Sequence, residues 1–90
     1  MLLHMPEAID INDLLLRIAK GDRPALAQLF AQESARLIGV AMRIVRRRDL
    51  AEEVVQEAFV AAWRRAGQFD PALGHGRAWL TTITRNRALN

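Results

Sequence analysis

The chain has 90 residues, a net charge of +3, a hydrophobic content of 51% and no cysteine. The absence of cysteine excludes disulfide bonds, thiolate metal sites and cysteine nucleophiles, which fits a reducing cytoplasm. The N-terminal segment lacks the basic region and apolar run of a signal peptide, and no stretch of about 18 apolar residues predicts a membrane span, so we expect one small cytoplasmic domain.

A first helix is predicted from the spacing of apolar residues near the N-terminus. The residues at positions i, i+3, i+4 and i+7 of one face are Ile11, Leu14, Leu15 and Ile18. Asp10 or Asn12 can cap the start of this helix, and Gly21 can end it.

A second helix is expected to follow Asp22, which can cap it. Pro24 is tolerated in the first turn because no backbone donor is needed there. The buried side is predicted to consist of Leu26, Leu29, Phe30, Leu37, Ala41, Ile44 and Val45. The three arginines at 46–48 are expected to close the helix, where positive charge complements the helix dipole.

A third helix is predicted to begin at Asp49, because Asp49 and Glu52 have the spacing of a capping box. The apolar positions of this helix are the most regularly spaced in the chain: Ala51, Val54, Val55, Ala58, Phe59 and Ala62. Gly67 is expected at the C′ position, where a glycine commonly ends a helix.

The polar side of the third helix carries a cluster of acidic and amide side chains. Glu53, Gln56 and Glu57 are spaced to project side by side, and Glu52 extends the patch by one turn. Acids in a first turn complement the helix dipole, but Gln56 and Glu57 lie beyond that turn. The cluster therefore predicts either a docking surface or an ordinary solvated face.

The segment 67–78 interrupts the helical pattern. The pair Asp70 and Pro71 indicates a turn, and Gly74 and Gly76 permit a positive φ or a close backbone approach. Phe69 either anchors this loop to the body of the domain or offers its ring to a nucleic-acid base.

A fourth helix is predicted from near Gly76 to the end of the chain, with Trp79, Leu80 and Ile83 on its apolar side and Leu89 well off that side. The side of this helix away from Trp79 and Ile83 carries Thr81, Thr82 and Arg85, with Asn86 at its margin and Arg77 just before it. Residues 71–90 contain three arginines and no acid, whereas ten basic and ten acidic residues cancel in residues 1–70. These side chains suit contacts to phosphates and base edges, although a solvated helix end is an equally ordinary interpretation.

The sequence offers little for catalysis or metal binding. Ser34 is the only serine, His4 and His75 are isolated from one another, and no phosphate-binding or dinucleotide-binding fingerprint occurs. We predict no catalytic residue, no metal and no cofactor, and an enzyme is the least favoured class.

Residues 49–90 resemble region 2 of bacterial sigma-70 family sigma factors, and most closely the extracytoplasmic-function (ECF) class. The matching positions are Glu53, Gln56, Glu57, Phe59 and Trp63, then Phe69 to Pro71, then Arg77 to Leu80, then Arg85 and Asn86. The resemblance implies an all-α, four-helix domain over residues 1–90, without the helix-turn-helix domain that reads the −35 element in typical members. Because the fourth helix reaches the last residue without a stop signal, we expect the chain to be part of a longer protein.

The resemblance also implies partners. The third helix of the family docks on the β′ clamp helices of the RNA polymerase core, which assigns that contact to Glu52, Glu53, Gln56 and Glu57. The loop and fourth helix of the family bind the non-template strand of the promoter −10 element, with residues 67–78 as the wall of a pocket for a flipped-out base. The corresponding DNA-binding residues are Phe69, Arg77, Thr81, Thr82, Arg85 and Asn86. An anti-sigma factor covering these surfaces is a further implied partner.

The sequence departs from the family pattern at His75 and Gly76, where many members have Ser or Thr and then an aromatic or aliphatic residue. His75 is a poorer helix cap than Ser or Thr, so the sequence does not define the first residue of the fourth helix or the shape of the loop before it. The alternative to a sigma factor is a helical interaction module whose acidic face binds a basic partner without a DNA role.

Overall fold

Four α-helices and one 3₁₀ turn make up the computed structural model, which describes residues 8–90. The elements in chain order are α1 (Ile11–Ala19), α2 (Arg23–Val45), α3 (Arg48–Arg65), a 3₁₀ turn (Ala66–Gln68) and α4 (Gly76–Leu89). No strand occurs within the described residues. The predicted all-α, four-helix class is confirmed.

The predicted start signals of α1 and α2 are confirmed. Asp10 rather than Asn12 caps α1, since its Oδ1 accepts a hydrogen bond from the backbone N–H of Asn12 at 3.0 Å. Asp22 caps α2 by accepting from the N–H of Ala25 at 3.1 Å, with Pro24 in the first turn. Gly21 has a φ of +87°, which explains why the turn between the helices is built on glycine.

A buried row on α2 forms the centre of the domain. Every fourth residue along this row is buried: Ala25, Leu29, Glu33, Leu37 and Ala41. Such i±4 rows are the ridges by which helices pack, and α2 contacts each of the other three helices. The core is completed by Leu14 and Leu15 of α1, Val55 of α3 and Leu80 of α4, each no more than 1% exposed.

The sequence-based prediction for α2 is partly wrong. Leu29, Leu37 and Ala41 are buried as expected, but Phe30 is 42% exposed. The rings of Phe30 and Phe59 pack in an edge-to-face arrangement with 5.0 Å between centroids, so Phe30 covers the buried Phe59 from the surface rather than entering the core. Glu33 takes a buried position that hydrophobic spacing did not assign to it.

The predicted capping box of α3 is also wrong. The helix begins at Arg48, and no side chain caps its first turn. The two acids bind the arginines before them instead: Arg47 donates to Asp49 at 2.8 Å, and Arg48 donates to Glu52 at 2.8 Å. The hydrogen bond from the Arg47 guanidinium holds the pKa of Asp49 below its ordinary value.

The end of α3 is where the sequence predicted it, since Gly67 directly follows the C-cap residue Ala66. Gly67 does not adopt the positive φ common at a C′ glycine, because the chain continues its right-handed winding after Arg65 into the 3₁₀ turn. This turn buries Ala66, and the N–H of Phe69 donates to the carbonyl of Ala66 at 3.1 Å. The winding therefore brings Phe69 back toward the core.

Small residues let α4 approach α3 closely. Ala58 and Ala61 of α3 pack against Ile83 of α4, with Trp79 partly buried beside them. Thr84 is fully buried, and its hydroxyl donates to the carbonyl of Leu80 at 2.9 Å, so the hydroxyl has a partner within its own helix. The predicted apolar side of α4 is confirmed, and Leu89 is 68% exposed as its position suggested.

We expect Leu37→Ala to lower the free energy of unfolding by about 2–5 kcal/mol, because it removes a fully buried side chain and leaves a cavity. The matched control is Leu16→Ala on α1, where the leucine is 42% exposed and we expect a loss below about 1 kcal/mol. Urea unfolding followed by circular dichroism measures both values. Equal losses for the two variants would contradict the assignment of the α2 row as the core.

Candidate functional site

Three of the four side chains predicted to form a docking face are exposed and unpaired on α3. Glu53, Gln56 and Glu57 are exposed, and their side chains form no hydrogen bond or ion pair with any residue within 8–90. Glu52 differs, since its carboxylate is held by Arg48 at 2.8 Å. We refer to Glu53, Gln56 and Glu57 as the acidic face. These side chains make no polar contact that stabilises the fold, so their carboxylate and amide groups are available to a partner.

An exposed apolar side chain continues the acidic face along α3. Val60 is 51% exposed and lies one turn beyond Gln56 and Glu57. Together with Leu26, Phe59 and Trp63, it lines a shallow apolar cleft between α2 and α3. An acidic patch beside an exposed valine and a partly exposed apolar cleft is a composition suited to a protein partner.

The loop between α3 and α4 is anchored by Phe69. This residue is only 7% exposed, and its ring packs on Trp79 with 5.6 Å between centroids. Phe69 therefore anchors the loop to the body of the domain. Its ring is not available to a nucleic-acid base, because Trp79 and the core cover it. Asp70 forms the predicted turn by accepting from the N–H of Ala72 at 2.9 Å. The tip of the loop exposes 86% of Leu73.

The first turn of α4 is capped by a side chain from α1. His75 occupies the N-cap position without a side-chain hydrogen bond, and the N–H of Gly76 donates to Oδ1 of Asn12 at 2.6 Å. A Cβ atom on residue 76 would lie 2.7 Å from Oδ1 of Asn12, 2.8 Å from Cδ1 of Leu15 and 2.9 Å from Cγ2 of Ile11, so any residue other than glycine would force these α1 side chains to shift. Asn12 therefore caps the first turn of α4 from a distant position in the chain, whereas Ser or Thr at position 75 would cap it from the adjacent residue.

The polar residues predicted on α4 fall into two groups. Thr82, Arg85 and Asn86 are exposed and make no side-chain hydrogen bond to any described residue. Thr81 and Arg77 are engaged: the Thr81 hydroxyl donates to the carbonyl of Arg77 at 2.8 Å, and Arg77 lies 3.4 Å from the carboxylate of Glu33. The first group is open to a ligand, while the second is tied to the fold.

A polar cluster joins α2 to α4 beside the exposed residues. Glu33 is 3% exposed and accepts from Nε of Arg36 at 3.0 Å and from Nη2 of Arg77 at 3.4 Å. Nη1 of Arg36 donates to the Thr81 hydroxyl at 2.9 Å. We call these four residues (Glu33, Arg36, Arg77 and Thr81) the α2–α4 polar cluster. Sequence reasoning missed Glu33 and Arg36, and the available signal was an acid placed inside the apolar row of α2.

The cluster lines one side of an open groove. The groove runs between α2 and the first half of α4, and it includes His75, Thr82 and Arg85. The segment before α1 forms its rim, where Gln32 binds the backbone of Ile9 through two hydrogen bonds of 2.7 and 2.9 Å. Arg36, Arg77 and Arg85 give the groove three guanidinium groups against the two carboxylates of Asp10 and Glu33, a net positive balance that attracts a polyanion.

A metal site and a membrane-spanning helix each have requirements that can be compared with the described residues. No group of three or more potential metal ligands lies among residues 8–90, and His4 lies outside that range. Within the same range, no helix has the length and hydropathy required to cross a bilayer.

Comparison with known proteins identifies relatives of the chain. Residues 29–90 match the family model described as sigma-70 region 2. The chain is 37% identical over 81 residues to the ECF RNA polymerase sigma factor SigK of Mycobacterium tuberculosis, and 36% identical to SigK of Mycobacterium ulcerans. Each alignment covers 90% of this chain and 43% of the relative, so the chain spans less than half the length of these proteins.

We expect Asn12→Ala to destabilise the domain by about 1 kcal/mol, because the first turn of α4 loses its only side-chain cap among the described residues. His75→Ser added to this variant should recover part of the loss, since a serine at the N-cap position can accept from the same helix turn. Urea unfolding of the single and double variants provides the measurement. No loss for Asn12→Ala would contradict the capping role.

Proposed function

Because the chain belongs to the sigma-70 region 2 family, we propose that it is the part of an ECF sigma factor that joins RNA polymerase to the promoter −10 element. The observation that carries this proposal is the presence of two open polar surfaces in a domain of this family. One is the acidic face of α3, and the other is the acid-free row Thr82, Arg85 and Asn86 on α4. Neither surface is used by the fold itself.

The acidic face is the surface we assign to the polymerase. In the family, the third helix contacts the β′ clamp helices of the core enzyme. Glu53, Gln56 and Glu57 are free to make such contacts, and Val60 adds an apolar side chain next to them. Glu52 contributes less, because its carboxylate already pairs with Arg48. The exposed Val60 and the apolar cleft that it lines support a protein partner rather than a solvated surface.

The groove along α4 is the surface we assign to the non-template strand. Arg85 can bind phosphate oxygens, while Thr82 and Asn86 can form hydrogen bonds with base edges. The loop at 67–78 supplies the wall for an extruded base, with Phe69 and Trp79 fixing its shape from beneath. Opening the duplex costs a few kcal/mol per extruded base, and capture of the base and strand offsets that cost.

The domain in this proposal includes α1 as well as the residues matched by the family model. α1 contributes Leu14 and Leu15 to the core, and Asn12 caps α4, so the DNA-binding helix depends on it. The site of action is the cytoplasm, where RNA polymerase works. An anti-sigma factor that covers the acidic face or the groove is the regulatory partner that family membership suggests.

We expect Glu57→Lys to weaken capture of a β′ clamp-helix fragment by about tenfold or more, because it reverses one of the two charges of the acidic face. The matched control is Asp13→Lys on α1, which makes the same change in net charge on a different helix. Pull-down and titration against the clamp fragment measure the effect. Wild-type capture by Glu57→Lys would contradict the docking assignment.

We expect selection from a single-stranded DNA pool with a randomised window to enrich a short −10 motif, both for the chain alone and for its complex with core polymerase. Binding of the enriched strand should weaken with salt, and Arg85→Gln should reduce the salt slope by about one because one phosphate contact is lost. Arg43→Gln, an exposed arginine of α2 outside the groove, is the control.

The same selection separates the proposal from its alternative. Asn86→Ala should relax the preference at one base position, a discrimination of about 1–3 kcal/mol for a good pair of hydrogen bonds. Salt-sensitive binding with no sequence preference, alone and with polymerase, would contradict the promoter assignment. The remaining function would then be a helical interaction module that docks through its acidic face.

A further inference from the structure

Glu33 is the only buried charged residue among residues 8–90, and its position is unusual. It occupies the centre of the α2 row, between Leu29 and Leu37, where an apolar side chain would continue the core. Both partners of its carboxylate are arginines, one on its own helix and one on α4. A buried ion pair is commonly no more stabilising than a well-packed apolar replacement, so stability alone does not explain this carboxylate.

The hydrogen bonds of the α2–α4 polar cluster close into a ring. Glu33 binds Arg36 and Arg77, Arg36 donates to Thr81, and Thr81 donates to the backbone of Arg77. The Arg36 guanidinium therefore reaches two different acceptors at once, which a lysine cannot do with the same geometry. One nitrogen of this group, Nη2, is buried without a hydrogen-bond partner among the described residues. The cluster thus contains an unsatisfied donor as well as a buried charge.

The two arginines are held with different strength. Arg36 lies 3.0 Å from Glu33, whereas Arg77 lies 3.4 Å away and its side chain is 62% exposed. A distance of 3.4 Å is long for a charge-assisted hydrogen bond. The contact restricts the orientation of Arg77 while leaving most of its five donors free for a second acceptor.

We propose that Glu33 and Arg36 are positioning residues for strand binding: they fix Arg77 and Thr81 at the edge of the groove before DNA arrives. This inference rests on the proposed function, since it assumes that the groove binds the non-template strand. Fixing a long arginine in advance reduces the entropy lost when it binds a phosphate. The negative charge of Glu33 also weakens the attraction of the groove for any polyanion, so it favours a correctly placed strand over a random one.

Glu33 is expected to strengthen binding of the selected strand by positioning Arg77 and Thr81, and to weaken binding of any strand through its negative charge. Because these two effects on affinity have opposite signs, they can be measured separately. Glu33→Gln removes the negative charge but keeps a side chain of the same shape. We expect affinity for random single strands to rise and the ratio of selected-strand to random-strand affinity to fall by about three- to tenfold, the contribution of one well-placed hydrogen bond.

Arg36→Lys separates positioning from charge. It keeps the positive charge and therefore the affinity for random strands and the salt slope, but it loses the double contact with Glu33 and Thr81. We expect the selected-to-random ratio to fall by about three- to tenfold for this variant too. Arg43→Lys on the same helix is the matched control, and it should keep the wild-type ratio because Arg43 does not line the groove.

Fluorescence anisotropy with the enriched strand and a random pool gives the ratio for each variant, and urea unfolding checks that each one is folded. If Glu33→Gln does not fold, Arg36→Lys still tests the inference. If the folded variants keep the wild-type ratio of selected-strand to random-strand affinity, this inference is overturned but the proposed function is not. A wild-type chain with no preference for any strand would overturn the proposed function, and this inference with it.

Discussion

The packing of α2 against the other three helices is the constraint on which the rest of the structure depends. Its buried row from Ala25 to Ala41 contacts α1, α3 and α4, so the orientation of each outer helix is set by the same ridge. The alanines of α3 allow a close approach of α4, and Ile83 and Leu80 fill the remaining space. Once the apolar sides of α3 and α4 are buried in this way, their polar sides face solvent.

This arrangement explains how a domain of this size can present the two polar surfaces that we propose as binding sites. The acidic face and the row Thr82, Arg85 and Asn86 come from different helices, and neither contributes a hydrogen bond to the fold within the described residues. Changes to these side chains therefore affect binding more than stability. The α2–α4 polar cluster is different, because Arg77 and Thr81 belong to the internal contacts and to the edge of the groove at the same time.

The start of α4 shows how a departure from a family pattern can be compensated elsewhere in the chain. Histidine at position 75 supplies no cap, but the N–H of Gly76 is bound by Asn12, which lies 64 residues earlier in the chain. Because of the same close approach, a Cβ at position 76 would force side chains of α1 to shift. His75 and Gly76 therefore fit together: the glycine admits α1, and α1 provides the cap. The loop that leads into α4 is held at one end by this contact and at the other by Phe69.

The sequence by itself determined the features that depend on local spacing. Hydrophobic periodicity and the caps Asp10 and Asp22 are local, so the four helices and the exposed triad Glu53, Gln56 and Glu57 could be predicted. Tertiary structure decided what depends on residues distant in the chain. Phe69 is covered by Trp79, Asn12 caps Gly76, and Glu33 partly offsets the charge of Arg77, which the sequence places in an acid-free segment. The capping box at Asp49 was wrong because neighbouring arginines compete for the same carboxylates, an outcome that side-chain geometry decides and spacing does not.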